Sequence, residues 1–146
     1  MGIKHVRQED NYGCGIAVAA MVAGVTYKEA RNICLNHPYL DHTPDLGMQP
    51  LQLSKLLRLL KVRFCRHMLA KFPHTCPYIV NVPSLNIVAA GHYIVVDFSN
   101  GCWEIYDPQK GNKGKKYYKS HLDKDKNGIN VLSYYQVIEI KGKYGR

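Results

Sequence analysis

Apolar residues in the first half of the chain recur at spacings that are typical of helices. Residues Cys14–Ala23 are small and apolar on nearly all sides, which predicts a buried central helix, and Gly24 supplies its C-terminal stop. Thr26 and Glu29 form a capping box, because the Thr hydroxyl can accept from the Glu29 N–H while Glu29 reaches back. This pattern predicts a second helix that ends near Leu35, before a proline.

A third helix is predicted after a loop. The stretch His37–Met48 contains prolines and a glycine and predicts that loop, and Pro50 then suits a first helical position. The apolar side of this helix is predicted to consist of leucines: Leu51, Leu53, Leu56, Leu57 and Leu60.

The second half has the short, β-branched runs of strands. The predicted strands are Val62–Cys65, Tyr78–Val82, His92–Phe98, Cys102–Tyr106 and Val131–Ile140. Ser99–Gly101 carries the Asn-Gly signal of a hairpin turn. Helices followed by strands predict an α+β fold with a mostly antiparallel sheet.

Length and cysteine content narrow the class of protein. With 146 residues and no long linker, the chain is predicted to form a single domain over residues 1–146. No apolar run has membrane-spanning length, and the start lacks the apolar core of a secretory signal. Five cysteines, an odd number without a tight pattern, argue against a disulfide framework and favour the reducing cytoplasm; a secreted effector is the alternative.

The net charge of +9 raises the question of acidic partners. Much of the excess lies in Lys110–Lys119, which is Gly-rich and polar. We interpret that segment first as a solvated loop, then as a surface that docks an acidic protein, and last as a nucleic-acid contact.

Four polar residues together suggest thiol chemistry. Cys14 begins the first helix, where unpaired N–H groups and the helix dipole favour a thiolate. His92 enters a strand, and Asp107 closes the next strand across the hairpin, so the two side chains are predicted to be neighbours. A base and an orienting carboxylate are what a thiol nucleophile needs. Gln8 can place its amide beside the thiol as a donor to the oxyanion.

Each of these residues also has a purely structural interpretation. A lone cysteine is most often buried core, and a histidine at a strand edge can be satisfied by backbone. Asp107-Pro108 can simply start a turn, and Gln8 can be an exposed loop residue. Their joint occurrence in this order favours the functional interpretation.

The chain resembles papain-like cysteine peptidases of the bacteriocin-processing type, which cleave leader peptides after a double glycine. The resemblance covers roughly residues 3–110 and is carried by Gln8, Gly13–Ala17, Val25–Ala30, Gly91–Val96 and Tyr106–Pro108. It implies a papain-like fold with Cys14 as nucleophile, His92 as general base and acid, Asp107 as orienter and Gln8 as oxyanion donor. The chain has Gly13 where the family commonly has Asp, and we expect it to be free-standing, without the transporter in which many such domains are embedded.

The leading function is therefore a cysteine peptidase acting on a peptide or isopeptide bond of a peptide or protein substrate. The glycines on both sides of the thiol, Gly13 and Gly15, suggest a narrow approach and hence small residues at the cut. The alternatives are a deamidase or acyltransferase with the same triad, and a non-catalytic binding module that uses the basic face.

No cofactor and no metal is expected. Asp123–Gly128 begins like a calcium loop, but Tyr134 stands where that loop needs a bidentate Glu, so we interpret it as a turn. The residues Cys34, His37, His74 and Cys76 could in principle ligate zinc, but the spacing of the second pair is too tight for a typical site.

Overall fold

The computed structural model describes residues 2–67, 76–99, 101–124, 127–130 and 137–143. The helices within these ranges are α1 (Cys14–Ala23), α2 (Tyr27–Leu35), α3 (Thr43–Leu46) and α4 (Pro50–Leu59). The strands are β1 (Val62–His67), β2 (Pro77–Pro83), β3 (Gly91–Asp97), β4 (Glu104–Tyr106) and β5 (Val137–Lys143). Helices first and strands afterwards confirm the predicted α+β class.

The local signals at the helix ends agree with the structure. Gly24 adopts a left-handed conformation with φ of 71° and ends α1. The Thr26 hydroxyl accepts from the Glu29 N–H, and Glu29 accepts from the Thr26 N–H, each at 3.1 Å. Thr26 therefore caps α2 as its sequence predicts.

The described strands form one antiparallel sheet in the order β1-β5-β2-β3-β4. The last strand of the chain thus lies between the first two. Both faces of β3 are buried: Tyr93 and Val95 pack in the cluster that includes the helices, while Ile94 and Val96 pack in a second cluster with Tyr118. This burial holds β3, and the histidine near its start, between two packed layers.

The helix α1 lies at the centre of the helical layer. Its residues Ile16–Ala20 are at most 1% exposed, which matches the prediction of a helix that is apolar on nearly all sides. Small side chains let α1 pack against α2, α4 and β3. As a result, the N-terminus of α1 meets the start of β3.

Several predicted boundaries differ from the structure. A short helix, α3, interrupts the predicted 37–48 loop, and Leu51, predicted to face the core, is 62% exposed at the first turn of α4. Strand β4 begins at Glu104 rather than at Cys102. Strand β5 continues to Lys143, beyond the predicted end at Ile140, because Lys143 and Gly142 pair with β1 across a bulge. Residues 131–136 of that predicted strand lie outside the described residues.

Candidate active site

The nucleophile candidate, Cys14, is the first residue of α1 and is half-buried. The residue before it, Gly13, caps the helix without a side-chain hydrogen bond, and the first turn contains no acidic residue. The N–H groups of the first turn, whose residues carry no negative charge, therefore lie near the thiol.

His92 is the second residue of β3 and is 7% exposed. Its Nε2 lies 2.7 Å from Oδ1 of Asp107, which leaves Nδ1 as the ring nitrogen available to the thiol. Burial alone lowers the pKa of the imidazole, but hydrogen bonds with Asp107 and with Cys14 outweigh it and raise the pKa to about 10. The surroundings of the ring therefore favour its protonated, imidazolium form.

Asp107 follows β4 directly and is 1% exposed. Besides His92, its carboxylate accepts from the backbone N–H groups of Gln109 and Tyr118, each at 2.8 Å. The bond to Gln109 is the Asx turn of the structural interpretation, so Asp107 forms a turn and holds the histidine at once. Its carbonyl also bonds to His5 Nε2 at 2.7 Å, which ties the N-terminal segment to the site.

Gln8 is buried at 2% exposure and is not the exposed loop residue of its structural interpretation. Its N–H donates to the Pro108 carbonyl at 2.9 Å, which places it beside the segment that carries Asp107. Its Nε2 donates to the carbonyls of Asp10 at 3.0 Å and Asn11 at 3.2 Å, and its buried Oε1 has no hydrogen-bond partner among the described residues. In this structure the amide donors thus serve the loop before Cys14.

Cys14 and His92 lie on a cleft of about 300 Å³. One wall is formed by residues 46–50 and the other by the end of the loop between β2 and β3, with Gln109 also lining the cleft. The Tyr93 hydroxyl donates to the Met48 carbonyl at 3.1 Å and so fixes the first wall to β3. Burial and the charge of Cys14 both raise the pKa of Tyr93, so this hydroxyl remains a donor.

The two glycines beside the thiol make room for protein rather than for substrate. A Cβ on Gly13 would lie 2.0 Å from the Tyr27 hydroxyl, and one on Gly15 would lie 3.0 Å from Met48. The reason given for a narrow substrate approach, that these glycines leave room for the substrate, is therefore wrong. Any narrowness of the cleft comes from its walls instead.

The lysine-rich segment 110–119 combines exposed side chains with an anchored backbone. Its lysines are exposed, which agrees with the interpretation as a solvated surface. Its backbone and one side chain nevertheless reach the site, because Tyr118 binds Asp107, and Asn112 Nδ2 donates to the Gln8 carbonyl at 3.1 Å and to Gln109 Oε1 at 2.8 Å.

Sequence reasoning missed Gln109, Asn112 and Tyr118. Gln109 could have been found from the Asx-turn signal of Asp-Pro, which places the residue two positions after an Asp against its carboxylate. No local signal marks Asn112 or Tyr118, since their partners lie in separate parts of the chain.

The metal interpretations find no support in the described residues. None of the described His, Cys, Asp and Glu side chains form a group of three or more that could hold a metal. Asp123 accepts from the N–H groups of Lys119 and Ser120, as a turn-forming carboxylate does. His74, Asp125 and residues 131–134 at the end of the calcium-like loop lie outside the described residues. Within those residues, no helix has the length and apolarity to cross a bilayer.

A half-buried thiol at a helix N-terminus, next to an imidazole on an antiparallel sheet, is typical of papain-like cysteine peptidases. The sequence model of the Peptidase C39 family matches residues 2–132. The chain therefore belongs to the Peptidase C39 family and is a cysteine peptidase, which confirms the predicted resemblance.

A solved structure supports the fold. The chain is similar to a double glycine motif protease from an AMS/PCAT transporter, solved in complex with the leader peptide, with a TM-score of 0.56 and 16% identity. The likeness covers 96% of this chain and 93% of that one, so the papain-like fold extends over nearly the whole chain. Sequence comparison with curated proteins gives no match.

Proposed function

We propose that this protein hydrolyses a peptide bond with Cys14 as nucleophile, His92 as general base and acid, Asp107 as orienter and Gln8 as oxyanion donor. The observation that carries the proposal is the 2.7 Å contact between His92 and a buried Asp107, at a cleft that also contains Cys14. A thiolate paired with an imidazolium needs no further activation to attack a carbonyl.

In the proposed reaction, the Cys14 thiolate attacks the scissile carbonyl and forms the C–S bond of a tetrahedral intermediate. The α1 N-terminus and one Gln8 N–H stabilise the oxyanion, for which Gln8 must release its longer bond, the 3.2 Å contact to Asn11. His92 then gives its proton to the leaving amine as the C–N bond breaks. Water, deprotonated by His92, releases the acyl group and restores the thiolate.

We further propose that the substrate is a leader peptide cut after small residues, a double glycine being the first candidate. The structural neighbour is named for a double glycine motif and holds a leader peptide. The cleft is also small, about 300 Å³, and Ala90 and Gly91 line the wall next to His92. Because a catalytic thiol must stay reduced to act, we place this activity in the cytoplasm.

The test is incubation with a peptide library followed by mass spectrometry of the products, using wild type and Cys14→Ala. We expect cleavage after Gly or other small residues by the wild type only. Bulky or charged residues at the two positions before the cut would refute the substrate proposal. Deamidated or acyl-transferred products without cleavage would refute the peptidase reaction, and tight, salt-sensitive nucleic-acid binding with an inert Cys14 would indicate a binding module.

A further inference from the structure

A polar cluster of Asp10, Tyr27 and Arg31, none of which lines the cleft, links α2 to the loop before Cys14. The Tyr27 hydroxyl donates to Asp10 Oδ2 at 2.9 Å, and Arg31 Nε donates to the same oxygen at 3.0 Å. The Asp10 N–H returns a weaker bond to the Tyr27 hydroxyl at 3.4 Å. Tyr27 is only 4% exposed, so the Asp10 carboxylate is bound by a side chain that is itself fixed in the core.

The backbone carbonyl of Asp10 contacts two parts of the proposed active site. It accepts from Gln8 Nε2 and from the Gly13 N–H, each at 3.0 Å. One peptide group thus holds both the proposed oxyanion donor and the residue that precedes the nucleophile.

The cluster also contacts the loop before Cys14 sterically, through Tyr27. A Cβ at Gly13 would lie 2.0 Å from the Tyr27 oxygen and 3.1 Å from its ring carbon Cζ, so the tyrosine packs directly against the backbone at this position. Burial, followed by the hydrogen bond to Asp10, raises the pKa of Tyr27, so the hydroxyl keeps its proton wherever the enzyme would work.

We propose that Tyr27 is a positioning residue for catalysis, which acts through Asp10 to orient the Gln8 amide and the turn before Cys14. Arg31 assists by holding the Asp10 carboxylate against Tyr27. The 3.0 Å bond to the Asp10 carbonyl holds the Gln8 amide in place, and the second N–H, on its longer 3.2 Å contact, would exchange the Asn11 carbonyl for the oxyanion. This inference rests on the proposed function, since it assumes that Gln8 and Cys14 act as assigned.

Tyr27→Phe removes only the hydroxyl. We expect kcat for peptide cleavage to fall about tenfold with KM unchanged, a fraction of the hundredfold or more that loss of an entire oxyanion donor costs. Alkylation of Cys14 by iodoacetamide should stay within about twofold of wild type, because alkylation develops no oxyanion. A merely structural role would lower both rates together through loss of folded protein.

A double-mutant cycle with Gln8→Ala decides whether the effect passes through Gln8. We expect Tyr27→Phe to have almost no further effect on kcat in the Gln8→Ala background. Tyr78→Phe, which removes a buried hydroxyl in the other core cluster, is the matched control and should leave kcat at the wild-type value. If Tyr27→Phe fails to fold, Arg31→Gln, at a side chain that is 38% exposed, should lower kcat about threefold with the same dependence on Gln8.

Wild-type kcat in both Tyr27→Phe and Arg31→Gln, or an undiminished loss in the Gln8→Ala background, would overturn the positioning role while the peptidase proposal stands. A wild type that cleaves no peptide would overturn both.

Discussion

Replacing Asp107 tests how the histidine is held. The Asp107 carboxylate accepts hydrogen bonds from three donors: His92 Nε2, the Gln109 N–H and the Tyr118 N–H. Asp107→Ala leaves all three without that acceptor, at about 1–3 kcal/mol for each buried group, so the free energy of unfolding should drop by about 3 kcal/mol or more. That is a large share of a typical total, and Asp107→Asn is therefore the variant to assay.

Asp107→Asn keeps one acceptor oxygen. With that oxygen at the Oδ1 position, the bonds from His92 and Gln109 survive and only the amide facing the Tyr118 N–H is mismatched. The bond to His92 loses its charge, which costs about 1 kcal/mol and corresponds to roughly a fivefold lower kcat/KM at neutral pH.

The pH profile carries the sharper prediction. In wild type the pKa of His92 is raised to about 10, so kcat/KM should hold its plateau below that pH and fall as pH rises through it. Without the Asp107 charge, burial still lowers the pKa while one cause that raises it is gone, so the alkaline limb should move to lower pH. The assay is initial-rate cleavage from pH 5 to about pH 10.5, with far-UV circular dichroism at each pH.

Asp97→Asn is the control. Asp97 is equally buried and accepts a 2.9 Å hydrogen bond from the Ser99 N–H, at the opposite end of β3 from His92. It should lower stability and leave the alkaline limb in place. A wild-type kcat/KM in Asp107→Asn, or a limb that does not move, would refute the proposed role of Asp107.

Three further predictions follow from burial and packing. Cys14 should be the cysteine most rapidly alkylated at neutral pH, measured by peptide mapping, although Cys65 and Cys102 are more exposed; faster reaction at either would contradict the nucleophile assignment. Gly15→Ala should cost about 1 kcal/mol by chemical denaturation, since overpacking against Met48 at 3.0 Å outweighs the gain in helix propensity, and Met48→Ala should relieve part of that cost. The last change replaces four exposed lysines of the 110–119 segment by Ser: Lys113, Lys115, Lys116 and Lys119. Stability and Cys14 alkylation should stay unchanged. A slower, less salt-dependent association with substrate would instead identify a docking surface.

Much of the secondary structure could be read from the sequence because its causes are local. The capping box at Thr26, the left-handed stop at Gly24 and the proline that opens α4 act within a few residues of chain. The apolar character of Cys14–Ala23 likewise predicts burial whatever surrounds it. The hairpin signal placed Asp107 at the end of the strand next to the one that carries His92, and their side chains are in contact.

Other features depend on contacts between distant parts of the chain, which periodicity does not encode. The insertion of β5 between β1 and β2, and its extension to Lys143, follow from pairing with strands more than 50 residues away. Helix α3 is a single turn, too short to produce a periodic signal.

The same division runs through the candidate site. The chain order of Gln8, Cys14, His92 and Asp107 suggested the chemistry, because each residue type suits one role in thiol catalysis. The partners that hold them did not stand out, since a tyrosine on α2 and an asparagine in a lysine-rich segment are ordinary residues until the fold places them. Only the tertiary structure shows that Tyr27 fills the space beside Gly13 and that Asn112 and Tyr118 bind Gln8 and Asp107. The reason is physical: a buried polar group must find a partner, and which partner it finds depends on how the layers pack.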